Sequence, residues 1–154
     1  MTVSEMTQTT NLNETLLGID VGERRIGVAR AQLGALFPHP LETLQEPATF
    51  ISDIVNLCRV ERAAALIIGL PRGLSGQDTA QTEQVRVFGA KLESQLDIPV
   101  YWTDEALTSA KAEDELRQRG RPYAKGEVDA LAATYILDDF ITHNKGRISE
   151  LNHG

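Results

Sequence analysis

The sequence predicts an α/β fold, a five-stranded mixed sheet flanked by helices, and three observations carry that expectation. "TLLGIDV" (residues 15–21) and "RRIGVARAQ" (24–32) are strand-like runs joined at Gly22 and Glu23, the pattern of a β-hairpin. "AALIIGL" (64–70) is an unbroken apolar run stopped by Pro71, as in a central strand covered on both faces. Beyond it helices and strands alternate, which requires parallel strands joined by crossovers. The resulting order, β-β-β-α-β-α-β-α-α, places hairpins first and βαβ units after them.

Each element has its own signal. Residues 1–14, "MTVSEMTQTTNLNE", are polar, with neither a basic start nor an apolar stretch, so a disordered extension is expected rather than a signal peptide. "ALFPHPLETL" (35–44) is extended, and Pro38 and Pro40 confine it to an edge or irregular strand. "PATFISDIVNLCRV" (47–60) carries Phe50, Ile54, Leu57 and Cys58 at helical spacing, with Pro47 near its start. "PRGLSGQD" (71–78) is a loop in which Ser75 and Asp78 have capping-box spacing. The long helix after it shows a stripe of Val85, Phe88, Leu92 and Leu96. "IPVYW" (98–102) is a strand that "TDEALTS" leaves, and Thr108 or Ser109 can cap a helix ending at Gly120. The last helix is expected from about Glu127 to Ile141, with Val128, Leu131, Ala132, Tyr135 and Ile136 as its apolar face. Residues 143–154 read as a tail, which leaves 15–142 as the folded domain.

Composition narrows the class. A chain of 154 residues, 42% hydrophobic, suits one domain with a core. No apolar run nears the roughly 20 residues that cross a bilayer. The single cysteine, Cys58, cannot form an internal disulfide, so a cytoplasmic protein with a small buried thiol is expected. A net charge of −7 argues against broad, non-specific nucleic-acid binding. It leaves room for a nucleic-acid enzyme with a local basic patch and metal ions over its acids.

Three acids stand out by position. Asp20 ends the first strand, Glu105 lies just past "IPVYW", and Asp129 falls in the first turn of the last helix beside an apolar face. Each alone has a plain reading: a turn residue for Asp20, a surface or dipole-favoured helix acid for Glu105 and Asp129. Together, converging strand ends and a helix packed on them would crowd three carboxylates that repel one another. Hard oxygen donors of that kind select Mg²⁺ or Mn²⁺. Two such ions about 4 Å apart could activate a water and stabilise a leaving oxygen in phosphodiester cleavage. Asp104, Glu127, Asp138 and Asp139 are further candidates, of which Asp138 and Asp139, toward the far end of the last helix, are expected to be solvated.

"GIDVGERRIGVA", "LIIGLPRGLSGQDTAQTEQVRVFGAKL", "DEALTSAKAEDEL" and "VDALAATYILDDF" resemble, in order, the signature blocks of the YqgF family. That family is also called RuvX, the pre-16S rRNA nucleases or Holliday-junction-resolvase-like proteins. The resemblance spans about residues 15–142. It implies an RNase H-like fold and a role in processing the 5′ end of 16S ribosomal RNA. It also implies that Asp20, Glu105 and Asp129 are the catalytic, metal-holding acids. Gly18, Gly22 and Gly27 match the glycines of the first block, and Gly69, Leu70 and Pro71 match the family's "GLP" turn. Two departures stand out. Ala106 replaces the family's usual Arg after "DE". The loop before the last helix, "RQRGRPYAKGE", is less densely basic than is usual.

Arg117, Arg119, Arg121 and Lys125, with Tyr123 among them, can hold a single strand by phosphate contact and stacking, or form an ordinary solvated helix end. Arg24 and Arg25 follow Asp20, and strand alternation would turn them to opposite faces. Arg72, beside the "GLP" turn, is a further candidate for substrate contact. His39, His143 and His153 have no partner motif and are expected to be structural or exposed. The leading expectation is a metal-dependent RNA nuclease acting on precursor 16S rRNA as a monomer or weak homodimer. A non-catalytic binder of nucleic acid or of an assembly partner, and a dimeric resolvase of branched DNA, are the alternatives. The actin-like ATPases share a similar first block, but need a longer, duplicated body.

Overall fold

The computed structural model describes residues 12–105, 108–146 and 148, without the side chains of 108–110. Most of the expected N-terminal extension, Ala106, His153 and most of the expected tail lie outside the described residues, as do the side chains of Thr108 and Ser109. The chain forms β1 (Thr15–Val21), β2 (Ile26–Gln32), β3 (His39–Leu44) and a 3-10 turn at Pro47–Thr49. These are followed by α1 (Phe50–Val60), β4 (Ala63–Pro71), α2 (Ala80–Gln95), β5 (Val100–Glu105), α3 (Thr108–Gln118) and α4 (Lys125–His143). The sheet order is β3-β2-β1-β4-β5. β1, β2 and β3 pair antiparallel, and β1–β4 and β4–β5 pair parallel, so the expected mixed five-stranded sheet is present.

Strand alternation divides the side chains between two layers. Leu17 and Ile19 of β1, Val28 of β2 and Leu66 and Ile68 of β4 join Phe50, Ile54, Val85 and Leu92 under α1 and α2. Leu16 of β1, Ala29 and Ala31 of β2 and Ala65 and Ile67 of β4 meet Ala133, Ile136, Leu137 and Phe140 of α4. α4 is covered in turn by α3 through Ala112, Leu116, Leu131 and Ala132. The face expected for α4 is therefore only half of what it buries. Ile148, beyond the helix, is also buried in the α4 layer.

α4 crosses the sheet diagonally. Thr43 of β3 donates to the Gly126 carbonyl, Gly27 of β2 abuts Asp129, Gly18 of β1 meets Leu137, and Thr103 of β5 donates to Asp139. The helix lies so close to β2 that a Cβ on Gly27 would fall inside the Asp129 carbonyl group. That contact is with backbone, so only glycine fits.

Local details depart from expectation in four places. The β1–β2 link is Gly22–Arg25, closed by the Gly22 N–H on the Arg25 carbonyl at 3.0 Å, so Arg24 and Arg25 lie in the turn rather than in β2. Thr79, not Ser75, caps α2, in a capping box with Thr82. Asp78 is occupied instead by Arg72 and Arg86. β5 runs three residues past Trp102 because the β4 ladder continues to Pro71, which pairs with Glu105. Finally, α4 begins at Lys125, which moves Asp129 beyond the first turn.

Candidate active site

Asp20 pairs with Gly27 across β1 and β2, and shares the α4 face of the sheet with Gly18. Thr103 and Glu105 share that face too, because Thr103 pairs with Gly69 and Glu105 with Pro71. β1, β4 and β5 are parallel, so Asp20 and Glu105 sit at the carboxyl end of the sheet, where open α/β sheets bind ligands. α4 brings Asp129 against the same end of β2. Three distant parts of the chain thus place three carboxylates on one face.

Their electrostatics show that they sense one another. Burial, reinforced by the charge of Asp129, pushes the Asp20 carboxyl up to about 6. Burial also pushes Glu105 up to about 7; Asp139 adds to this, Lys111 opposes it, and Asp20 adds again. Ionised acids in such a place call for a cation.

The carboxylates are not closed around one. Among the described residues, no three His, Cys, Asp or Glu side chains stand close enough together to hold a metal ion. Two features of the structure account for this. β4 lies between β1 and β5, which separates the Asp20 and Glu105 backbones by two strand spacings, roughly 10 Å. The Asp129 carboxylate is taken by Arg25, whose Nε donates to Oδ2 at 2.5 Å. The donor set itself, all carboxylate oxygen with two members holding protons unusually tightly, fits a hard divalent cation.

Asp139 is a correction. Expected to be solvated, it is half-buried against β5, where its Oδ2 accepts from the Thr103 hydroxyl at 3.2 Å, and its charge reaches Glu105. It stands one turn beyond Ile136, the residue that packs on Gly69, and that spacing is the signal in the sequence that favours its candidacy over a solvated place. Asp138 is exposed, as expected.

A family model described as "Holliday junction resolvase", RuvX, matches residues 14–143. The chain belongs to the RuvX family. A relative from Maridesulfovibrio salexigens is 35% identical over 130 residues, 82% of this chain and 96% of that protein. Another, from Chloroflexus aurantiacus, is 38% identical over 148 residues, 92% and 97% of the two chains. Both are named "Putative pre-16S rRNA nuclease". Among solved structures, Thermus thermophilus RuvC in complex with a Holliday junction substrate superimposes with a TM-score of 0.53 at 18% identity, covering 84% of this chain and 95% of that one. A second Thermus thermophilus RuvC structure gives 0.52 at 19% identity over the same shares. The fold is therefore RNase H-like.

The cations of this RuvX-family chain are mostly spoken for. Arg72 bridges Asp78 and Asp104, the latter at 3.2 Å, beside Glu105 in a shallow hollow lined also by Gly73, Leu74 and Gly76. In the expected basic loop, Arg117 belongs to α3 and faces Glu113 at 3.4 Å and Asp114 at 3.7 Å. Arg119 faces Glu115 at 3.0 Å and Arg121 faces Glu127 at 3.5 Å. Tyr123 packs on the α3–α4 cluster. Lys125 opens α4 and is exposed, as is Arg24 in the β1–β2 turn. His143 contacts Asp139 at 3.3 Å, and His39 lies near the Phe37 carbonyl. Cys58 is buried, and burial pushes its thiol up to about 11, so it is not a nucleophile. Among the described residues, no helix is long and apolar enough to cross a membrane.

Proposed function

We propose that the chain is a divalent-metal-dependent nuclease that hydrolyses RNA phosphodiester bonds, acting in the cytoplasm in 5′-end maturation of precursor 16S rRNA. The observation that supports this reading is the placement of Asp20, Glu105 and Asp129 at one end of one face of the sheet, with burial and neighbouring acids pushing Asp20 up to about 6 and Glu105 up to about 7. Mg²⁺ or Mn²⁺, held by these three acids, would supply an activated water and a charge on the leaving oxygen. The chain's own groups do the rest. Asp20 is anchored in the central strand and Asp129 on the long helix, so both oxygens keep their place while substrate comes and goes. Arg25 on Asp129, Arg72 in the hollow beside Glu105, and the exposed Arg24 of the β1–β2 turn are the cations proposed to orient a phosphate. Arg117 at the end of α3, Arg119, Arg121 and Tyr123 in the connection after it, and Lys125 at the start of α4 can guide a single strand. Their pairing with neighbouring acids keeps that attraction local, in line with the net charge of −7. The RNA substrate is supported by the names of the relatives.

The family description and the junction-bound RuvC favour a second reading, a resolvase of branched DNA. That activity calls for a two-fold dimer on a two-fold substrate. The two readings separate in one experiment. Purified protein with Mg²⁺ or Mn²⁺ is given a 16S precursor fragment, an unrelated single-stranded RNA and a four-way DNA junction, while sedimentation records its mass. Cleavage of the precursor at a defined 5′ position by a monomer or weak dimer is expected. Symmetric nicking of the junction by a stable dimer, with the precursor untouched, would replace the first reading by the second.

A further inference from the structure

We propose that Arg25 is the resident cation of Asp129 in the metal-free protein, and that a divalent ion must displace it to enter the site. The inference rests on the reading of Asp129 as a metal-holding acid. It starts from one contact, Arg25 Nε to Asp129 Oδ2 at 2.5 Å, between side chains only 34% and 18% exposed. The two residues are 104 positions apart, so the pair is no by-product of helical spacing. Both backbones are fixed where they meet. The Gly22–Arg25 turn is closed by its own hydrogen bond, and the Asp129 peptide rests on Gly27. A pair so placed is a built contact, unlike the helical pairs of Arg117 and Arg119 with acids three or four residues away.

The charges then dictate the competition. A divalent ion beside Asp20 and Asp129 would sit next to a guanidinium already bonded to one of its ligand oxygens. Two cations at that range repel strongly in a half-buried site. The guanidinium hangs from a short turn and can swing away, whereas Asp129 is held by the helix. Once released, it offers a planar fork suited to the phosphate of an incoming strand. Metal and phosphate therefore favour each other: the ion frees Arg25 for the strand, and a strand that captures Arg25 clears Asp129 for the ion. By linkage the two effects are equal in size. Arg25 is a positioning residue in this scheme, acting through Asp129.

The test measures metal binding without RNA. Full-length protein stripped with EDTA is titrated with Mn²⁺, and free Mn²⁺ is followed by electron paramagnetic resonance. Arg25→Gln is expected to bind Mn²⁺ roughly tenfold more tightly than wild type, the equivalent of one charge-assisted hydrogen bond no longer broken. Arg25→Lys, which keeps the charge, should restore part of the weaker affinity. Arg59→Gln removes the same charge from α1, where Arg59 pairs with Asn56, and should stay near wild type. In ¹⁵N spectra of wild type, the Arg25 Nε–H signal should move on adding Mg²⁺ to the position it already has in metal-free Asp129→Asn. Unchanged or weaker Mn²⁺ binding by folded Arg25→Gln would overturn the proposal. So would an Nε–H signal that ignores saturating Mg²⁺, a readout that holds even if Arg25→Gln does not fold. Wild type that binds no metal at all would overturn the metal reading itself, whereas equal binding by wild type and Arg25→Gln removes only the role of Arg25.

Discussion

Asp20→Asn is expected to stabilise the metal-free protein, and to do so in a defined pH window. The Asp20 carboxyl is raised from 3.8 to about 6 by burial and by Asp129, both acting in the same direction. The folded chain therefore binds this proton more tightly than the unfolded chain. The stability that the proton contributes is complete below about pH 4 and is lost as pH rises through about 6. A shift of about two units corresponds to about 3 kcal/mol of penalty on the ionised group in the folded state. Asparagine has nearly the same shape and carries no charge. At pH 8 in EDTA the variant should gain up to about 3 kcal/mol, or roughly 5–10 °C in Tm for a domain of this size. At pH 4 the two proteins should melt together. With Asp20 as a metal-holding acid, as proposed, saturating Mg²⁺ should close the gap at pH 8 by stabilising wild type more than the variant. Thermal unfolding by circular dichroism at the two pH values reads all of this. Equal stability at pH 8 in EDTA, or a gain that persists unchanged at pH 4, would refute the reasoning, because Asp20 would then carry no buried, uncompensated charge.

Other residues give simpler expectations. Gly27→Ala should cost about 3 kcal/mol or more in urea unfolding, because the new methyl meets the Asp129 backbone and α4 must lift from β2. Thr79→Ala should cost about 1 kcal/mol by the same measurement, since it removes the α2 cap, whereas Ser75→Ala should change little. Native Cys58 should resist a thiol reagent at pH 8 and react only on unfolding, as expected of a buried thiol pushed up to about 11.

Much of the architecture was legible because local patterns and tertiary environment agree. The apolar run ending at Pro71 did become the strand at the centre of the parallel part of the sheet, and the two prolines did mark an edge strand. Alternation alone also puts Asp20 and Gly18 on one face. What stayed hidden depends on pairing at long range. Thr103 and Asp104 look like turn residues, and only the register with β4 keeps them in a strand and makes Glu105 its last residue. Ser75 and Asp78 have the spacing of a cap, but Asp78 is claimed by two arginines, one of them, Arg72, directly after β4. The diagonal path of α4 is what turns Asp139 toward Glu105 and Asp129 toward Arg25, and no helical period contains that angle. The acid pairs of Arg117 and Arg119 could have been read from their spacing of three and four residues.

If Asp20, Glu105 and Asp129 form one metal-dependent cutting site, as proposed, removing one carboxylate stops the cutting. The most direct test compares wild type with Glu105→Gln on a 5′-labelled 16S precursor fragment, each with EDTA, Mg²⁺ and Mn²⁺, after both are shown to be folded. Cleavage by wild type is expected only when metal is present, with a loss of roughly a hundredfold or more in the variant. Folded wild type that binds the RNA yet never cuts it with either metal would contradict the account, as would a Glu105→Gln protein that cuts at the wild-type rate.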